Sequence, residues 1–149
     1  MDSATAVLLV EDNEDDVFLF RRAFKQAGLA IPLQVVENGQ LAIDYLSGAG
    51  PFADRAAYPF PTAIFLDMKM PYKNGLEVLA WARGQRFPKR PEVVMLTSSA
   101  EQRDVTEAHR LGAAAYLLKP AKMETLLDLI KIPSRYDDRH KDDLFRKLP

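Results

Sequence analysis

Short, mostly apolar runs alternate along this chain with stretches whose apolar residues recur at three- and four-residue spacing. The runs are Ala6-Val7-Leu8-Leu9-Val10, Leu33-Gln34-Val35-Val36, Thr62-Ala63-Ile64-Phe65-Leu66, Glu92-Val93-Val94-Met95-Leu96-Thr97 and Ala113-Ala114-Ala115-Tyr116-Leu117-Leu118. A strand that is apolar at every position must be covered on both faces, and helices on either side of a sheet supply that cover. Five β-α repeats in strict order therefore predict a doubly wound, five-stranded parallel sheet, the flavodoxin-like α/β class. At 149 residues the chain suits one domain with a core of its own.

The helical stretches carry their own boundaries. After the first run, Val17, Phe20, Phe24 and Ala27 form an apolar stripe, Arg21, Arg22 and Lys25 a wet side, and Gly28 a stop. Glu37-Asn38-Gly39 turns into a helix bearing Leu41, Ala42, Tyr45 and Leu46. Residues 48–61 form a long connection with Pro51, Pro59 and Pro61 and exposed-looking Phe52, Tyr58 and Phe60; a rigid, packed surface loop is the simplest account. Pro71 and Asn74-Gly75 mark a loop before a helix with Leu76, Val78, Leu79, Trp81 and Ala82. Ser98-Ser99-Ala100-Glu101 reads as a capping box for a helix that Gly112 ends. A last helix carries Met123, Leu126, Leu127 and Ile130, and Pro133 breaks it. The domain is thus expected over residues 1–132, with a charged extension at 133–149 holding Leu144, Phe145 and Leu148.

Composition narrows the classes of function. Twenty Lys and Arg against twenty-one Asp and Glu give no basic excess for nucleic acid. Cysteine is absent, which excludes disulfides and thiolate metal sites. The N-terminus has no basic n-region, and no apolar run reaches the ~18 residues of a membrane span, so a soluble cytoplasmic protein is expected. Acids outnumber bases ten to six over residues 1–75, the half in which a cation would be held.

Four of the five strands end in a reactive or charged side chain: Glu11 and Asp12, Asp67, Thr97, and Lys119. Parallel strands put all these ends on one edge, where ligands of open α/β sheets bind. Acids brought together there repel unless a cation joins them, and hard oxygen ligands without His or Cys favour Mg²⁺ over zinc. Glu14, Asp15 and Asp16 need no more than the positive end of a helix dipole. An aspartate beside Mg²⁺, with an ammonium and a hydroxyl at hand, is suited to attack a phosphoryl group and become an aspartyl phosphate at Asp67. His109 and His140 read as solvent-facing, and Trp81 and the methionines as core.

In this order and at these strand ends, residues 6–132 resemble a response-regulator receiver domain, the phosphoacceptor partner of a two-component histidine kinase. The resemblance matches Glu11 and Asp12 to the acidic pair, Asp67 to the phosphoacceptor and Thr97 to the switch hydroxyl. It also matches Tyr116 to the switch aromatic and Lys119-Pro120 to the lysine and following proline, a bond usually cis in the family. It implies that Asp12, Asp67 and the backbone carbonyl of Lys69 ligate Mg²⁺, with Glu11 acting through water. Lys69 and Ser99 fall at positions that influence water access to the phosphoryl group.

Nothing after Pro133 is long enough for a DNA-binding module, so a stand-alone receiver is expected, signalling by protein–protein contact and binding neither nucleic acid nor membrane. The loop with Pro51-Phe52 and Tyr58-Pro59, and the extension, are more similar to the small receivers that accompany bacterial phytochrome kinases. That subgroup implies a sensor histidine kinase, a bacteriophytochrome, as partner, and a homodimer with Leu144, Phe145 and Leu148 as an exchanged arm. Self-phosphorylation and autodephosphorylation are the only chemistry expected, and a phosphorelay or phosphate-sink role stays open. The competing reading is an aspartate-nucleophile phosphatase, which would want an acid at position 69, where this chain has Lys. A nucleotide-binding flavodoxin-like protein would want a Gly- or Ser/Thr-rich loop where this chain has acids.

Overall fold

All five runs form strands: β1 (Val7–Val10), β2 (Leu33–Val36), β3 (Ala63–Asp67), β4 (Glu92–Thr97) and β5 (Ala115–Leu118). Between them lie α1 (Glu14–Gln26), α2 (Gly39–Ser47), α3 (Gly75–Arg83) and α4 (Gln102–Arg110). The computed structural model describes residues 6–70, 72–98, 101–122 and 125–126. The expected last helix with Met123, Leu127 and Ile130, its Pro133 stop, His140 and the extension with Leu144, Phe145 and Leu148 lie outside these; Leu126 is buried.

Every strand pairing is parallel, in the order β2-β1-β3-β4-β5. The chain steps from β1 out to β2 and then crosses back to β3 on the other side of β1. Winding reverses there, so the connections leaving β1 and β3 diverge and open a crevice beyond their C-terminal ends.

Side-chain alternation sorts the strand residues between two cores. Val7, Leu9, Phe65, Val94, Leu96 and Leu117 meet Phe20, Ala23 and Phe24 of α1. Leu8, Val10, Ile64, Leu66, Met95 and Tyr116 meet the α2, α3 and α4 faces through Tyr45, Leu46, Val78, Leu79, Val105 and Ala108. This two-sided cover is why the strands carry almost no polar residue before their tips.

Asparagines start three of the helices. Asn13 accepts from the Asp16 N–H at 2.9 Å and Asn38 from the Leu41 N–H at 2.8 Å. Asn74 and Glu77 form a reciprocal capping box at 3.0 and 2.8 Å. The box expected at Ser98–Glu101 does not form: α4 begins at Gln102, and Glu101 is its N-cap with no side-chain bond. Thr97 is still in the sheet, its carbonyl accepting from the Lys119 N–H at 2.7 Å. The chain therefore needs further residues to turn before a helix can start.

The 48–61 connection is packed, as its prolines suggest, and contains a 3-10 turn (Gly50–Ala53). Phe52, Tyr58 and Phe60 are half-buried against the core rather than exposed. Arg55 organises them. Its guanidinium donates to the carbonyls of Tyr45 and Leu46 at 2.8 and 3.1 Å, which are end carbonyls of α2, and lies over the Tyr45 and Phe60 rings.

Losing a reciprocal cap costs about 1 kcal/mol. Asn74→Ala should therefore lower the urea midpoint with an unchanged m-value. An unchanged midpoint would show that the loop after β3 holds α3 without the cap.

Candidate functional site

Sheet hydrogen bonds run past the strands and fix the tip residues. The Glu11 N–H donates to the Val36 carbonyl at 3.0 Å, the Met68 N–H to Leu96 at 2.9 Å and the Lys119 N–H to Thr97 at 2.7 Å. Alternation then aims the side chains. Glu11, Asp67 and Lys119 continue the Leu9, Phe65 and Leu117 series towards α1, whereas Thr97 continues the Met95 series towards Tyr116.

Behind Asp67 the chain is folded back tightly. The Gly75 N–H donates to the Met68 carbonyl at 3.0 Å, and a Cβ at Gly75 would collide with the Asp67 carbonyl oxygen. Glycine is required there by close backbone approach. The turn also places the Lys69 N–H as a donor to the Asp67 carboxylate, while the Lys69 side chain is exposed.

The result is a buried acid cluster. Glu11 is 1% and Asp67 5% exposed, Asp12 lies exposed at the mouth, and carboxylate oxygens of the three lie within 4.8 Å of one another. The Lys119 ammonium stands 2.8 Å from Glu11 Oε1, 2.8 Å from Asp16 Oδ2 and 3.1 Å from Asp67 Oδ1. Burial pushes the Glu11 carboxyl up to about 7, against the pull of Lys119 and the Asn13 N–H. Burial likewise raises Asp67, although Lys119, Glu11 and the Lys69 N–H favour its charged form. Burial works to lower the Lys119 ammonium, but Asp16, Glu11 and Asp67 together hold it above its ordinary value.

One ammonium does not balance these acids. Glu11 Oε1 is buried with the ammonium at 2.8 Å, and three carboxylates converging this closely favour a further cation. The donor set is all oxygen, so the residues fit a hard divalent ion.

Thr97 and Tyr116 form a second group on the opposite parity. Thr97 is 4% exposed and Tyr116 fully buried, and the Thr97 side chain faces the Tyr116 hydroxyl closely enough to interact with it. Burial raises the Tyr116 hydroxyl, reinforced by the charge of Asp104. The Lys119-Pro120 peptide is cis. His109 is exposed.

Asp16 departs from the sequence reading, which left it to the helix dipole. It stands in the first turn of α1, where a negative charge suits the dipole, and its carboxylate also accepts the Lys119 hydrogen bond at 2.8 Å. The signal was present in the spacing: Asp16, Phe20, Ala23, Phe24 and Ala27 lie on one helical face, and all but Asp16 are buried against the sheet. Ser99 lies outside the described residues.

Residues 7–131 match the response regulator receiver domain, and the chain belongs to that family. It is therefore a phosphoacceptor module of two-component signalling, and receivers of this family take phosphoryl groups from histidine kinases. Response regulator Rcp1 of Synechocystis sp. is 31% identical over 125 residues, covering 84% of this chain and 83% of that protein. Its Mn²⁺-bound crystal structure superposes with a TM-score of 0.71 at 30% identity, covering 91% of this chain and 96% of that one. The bacteriophytochrome response regulator AtBRR gives a TM-score of 0.76 at 35% identity, covering 87% and 92%. The phosphorylated cyanobacterial phytochrome response regulator RcpA gives 0.73 at 29% identity, covering 90% and 94%. No helix among the described residues is long and apolar enough to cross a membrane.

Glu11 binds its proton more tightly in the folded chain than in an unfolded one, so its contribution is present below the ordinary carboxylate range and lost as pH rises towards about 7. Asp67 acts in the same direction. Metal-free stability should fall between pH 5 and 8, less so in Glu11→Gln, and a divalent ion should stabilise more at pH 8 than at pH 5. Urea melts at several pH values read this directly; a rise over that window would contradict it.

Proposed function

We propose that Asp67 is the phosphoacceptor, taking a phosphoryl group from a phosphohistidine of a sensor histidine kinase. The phosphorus–nitrogen bond breaks, a bond forms to an Asp67 carboxylate oxygen, and the imidazole leaves with its electron pair. The observation that carries this reading is the Asp67 carboxylate at a strand tip with Lys119 Nζ at 3.1 Å. That ammonium is positioned to offset charge on the transferring oxygens.

Mg²⁺ is the proposed ion, with Asp12, Asp67 and the Lys69 carbonyl as ligands and Glu11 acting through water. When bound it neutralises charge on the phosphoryl oxygens and on the acids. Lys119 and the Lys69 N–H hold Asp67 in place for the transfer. Thr97 and Tyr116 form the readout: an anion on Asp67 draws the Thr97 hydroxyl towards it and alters what packs against Tyr116 and α4. The likeness to AtBRR and RcpA supports a phytochrome-type kinase as the partner.

Acetyl phosphate with Mg²⁺ should add one phosphoryl group by intact mass, and Asp67→Asn should add none. Amide exchange over Gln102–Arg110 should change on labelling of the wild type but not of Tyr116→Ala. Labelling of Asp67→Asn would move the acceptor elsewhere, and an unaltered response in Tyr116→Ala would reject the switch.

The extension at 133–149 is proposed as a dimerisation arm on a receiver spanning residues 1–132. Leu144, Phe145 and Leu148 are large apolar side chains in an otherwise charged stretch and want cover. Removing residues 134–149 should convert a dimer into a monomer in light scattering. An unchanged mass would dismiss the arm.

A further inference from the structure

The fourth carboxylate at the site, Asp16, has no place in the assignments above. It comes from α1 rather than from a strand tip, and it stands apart from the group of acids whose oxygens converge, which holds Glu11, Asp12 and Asp67. Its carboxylate nevertheless accepts a hydrogen bond from Lys119, Nζ to Oδ2 at 2.8 Å. The contacts from Nζ to Glu11 and Asp67 are ion pairs at 2.8 and 3.1 Å.

The backbone holds Asp16 firmly. Its N–H is the donor that Asn13 caps, and one turn later Phe20 is buried with its ring 5.0 Å from that of Phe65 in β3. Asp16 is therefore fixed relative to the sheet, on the face towards which Lys119 points.

We infer that Asp16 is a positioning residue for Lys119, a carboxylate outside the metal's ligand set that keeps the ammonium at the site without blocking the ion. The inference rests on the proposed metal-dependent receiver reading. Among the described residues Lys119 has three anionic partners, and two of them, Glu11 and Asp67, belong to the converging acid group. Without a third partner the ammonium must settle on those two, where it neutralises the oxygens a divalent ion needs. With Asp16 present, the ammonium, which also stands 2.8 and 3.1 Å from Glu11 and Asp67, has one carboxylate that the ion does not use and can stay at the site when the ion takes the other two. Asp16 thereby lets one small site hold two kinds of positive charge, and both would face an incoming phosphoryl group.

The test is Mn²⁺ titration of the unphosphorylated full chain, followed by electron paramagnetic resonance of the free ion. Asp16→Asn should bind about fivefold more weakly than wild type, the size of a ~1 kcal/mol coupling between neighbouring charged groups. Asp15→Asn removes the same charge from the same turn at an exposed position, and it should stay within twofold of wild type. Asp16→Glu should recover most of the loss. In a Lys119→Gln background, Asp16→Asn should cost no more than Asp15→Asn does.

Equal losses in Asp15→Asn and Asp16→Asn would overturn the inference in favour of a general charge effect, as would a full Asp16→Asn loss without Lys119. Thermal melts of each variant show whether it is folded, and Asp16→Glu with Asp15→Asn keeps the comparison decisive if Asp16→Asn is not. Failure of acetyl phosphate to label the wild type would reject the phosphoacceptor reading while leaving the metal comparison able to judge Asp16. A wild type that binds no Mn²⁺ would overturn both.

Discussion

Two buried carboxylates, Glu11 and Asp67, share one ammonium, and the rest of the molecule is arranged around keeping them there. Acids this close and this buried are costly when charged, which is why both have raised proton affinity. Lys119 offsets part of that cost and leaves a deficit of positive charge that the proposed divalent ion would offset. The site is therefore poised by its own repulsion, and the stability of the fold is tied to what the crevice holds.

That arrangement needs a rigid frame, and the parallel sheet supplies it. The strand ladder extends through Glu11, Met68 and Lys119, so these backbones cannot drift under the repulsion. Gly75 lets the next helix return against the Asp67 carbonyl, closing the back of the site. Side-chain alternation then separates the two tasks. The charged cluster faces α1, and the Thr97–Tyr116 pair faces the α2–α3–α4 core, the separation on which the proposed readout relies.

Most of this architecture was legible because it obeys simple periods. Mostly apolar runs called for a sheet covered on both sides, and parallel strands put their ends on one edge, which brings Glu11, Asp12, Asp67 and Lys119 together. The Ser98–Glu101 cap was misread because the motif matches locally while the sheet still claims Thr97. The aromatics of the 48–61 loop looked exposed because their cover is Arg55 and Tyr45, partners that no local pattern reveals.

By itself the sequence determined the fold class, the strand ends and the acids, hydroxyl and lysine available there, since periodicity and strand polarity follow from local chemistry. Tertiary structure alone decided which oxygens share Lys119, that Asp16 joins them, and that Tyr116 lies buried beside Thr97. Those outcomes depend on the angle at which α1 crosses the sheet and on small differences in the distances between side chains far apart in the chain. Contacts of that kind are set by packing, and packing has no period to read.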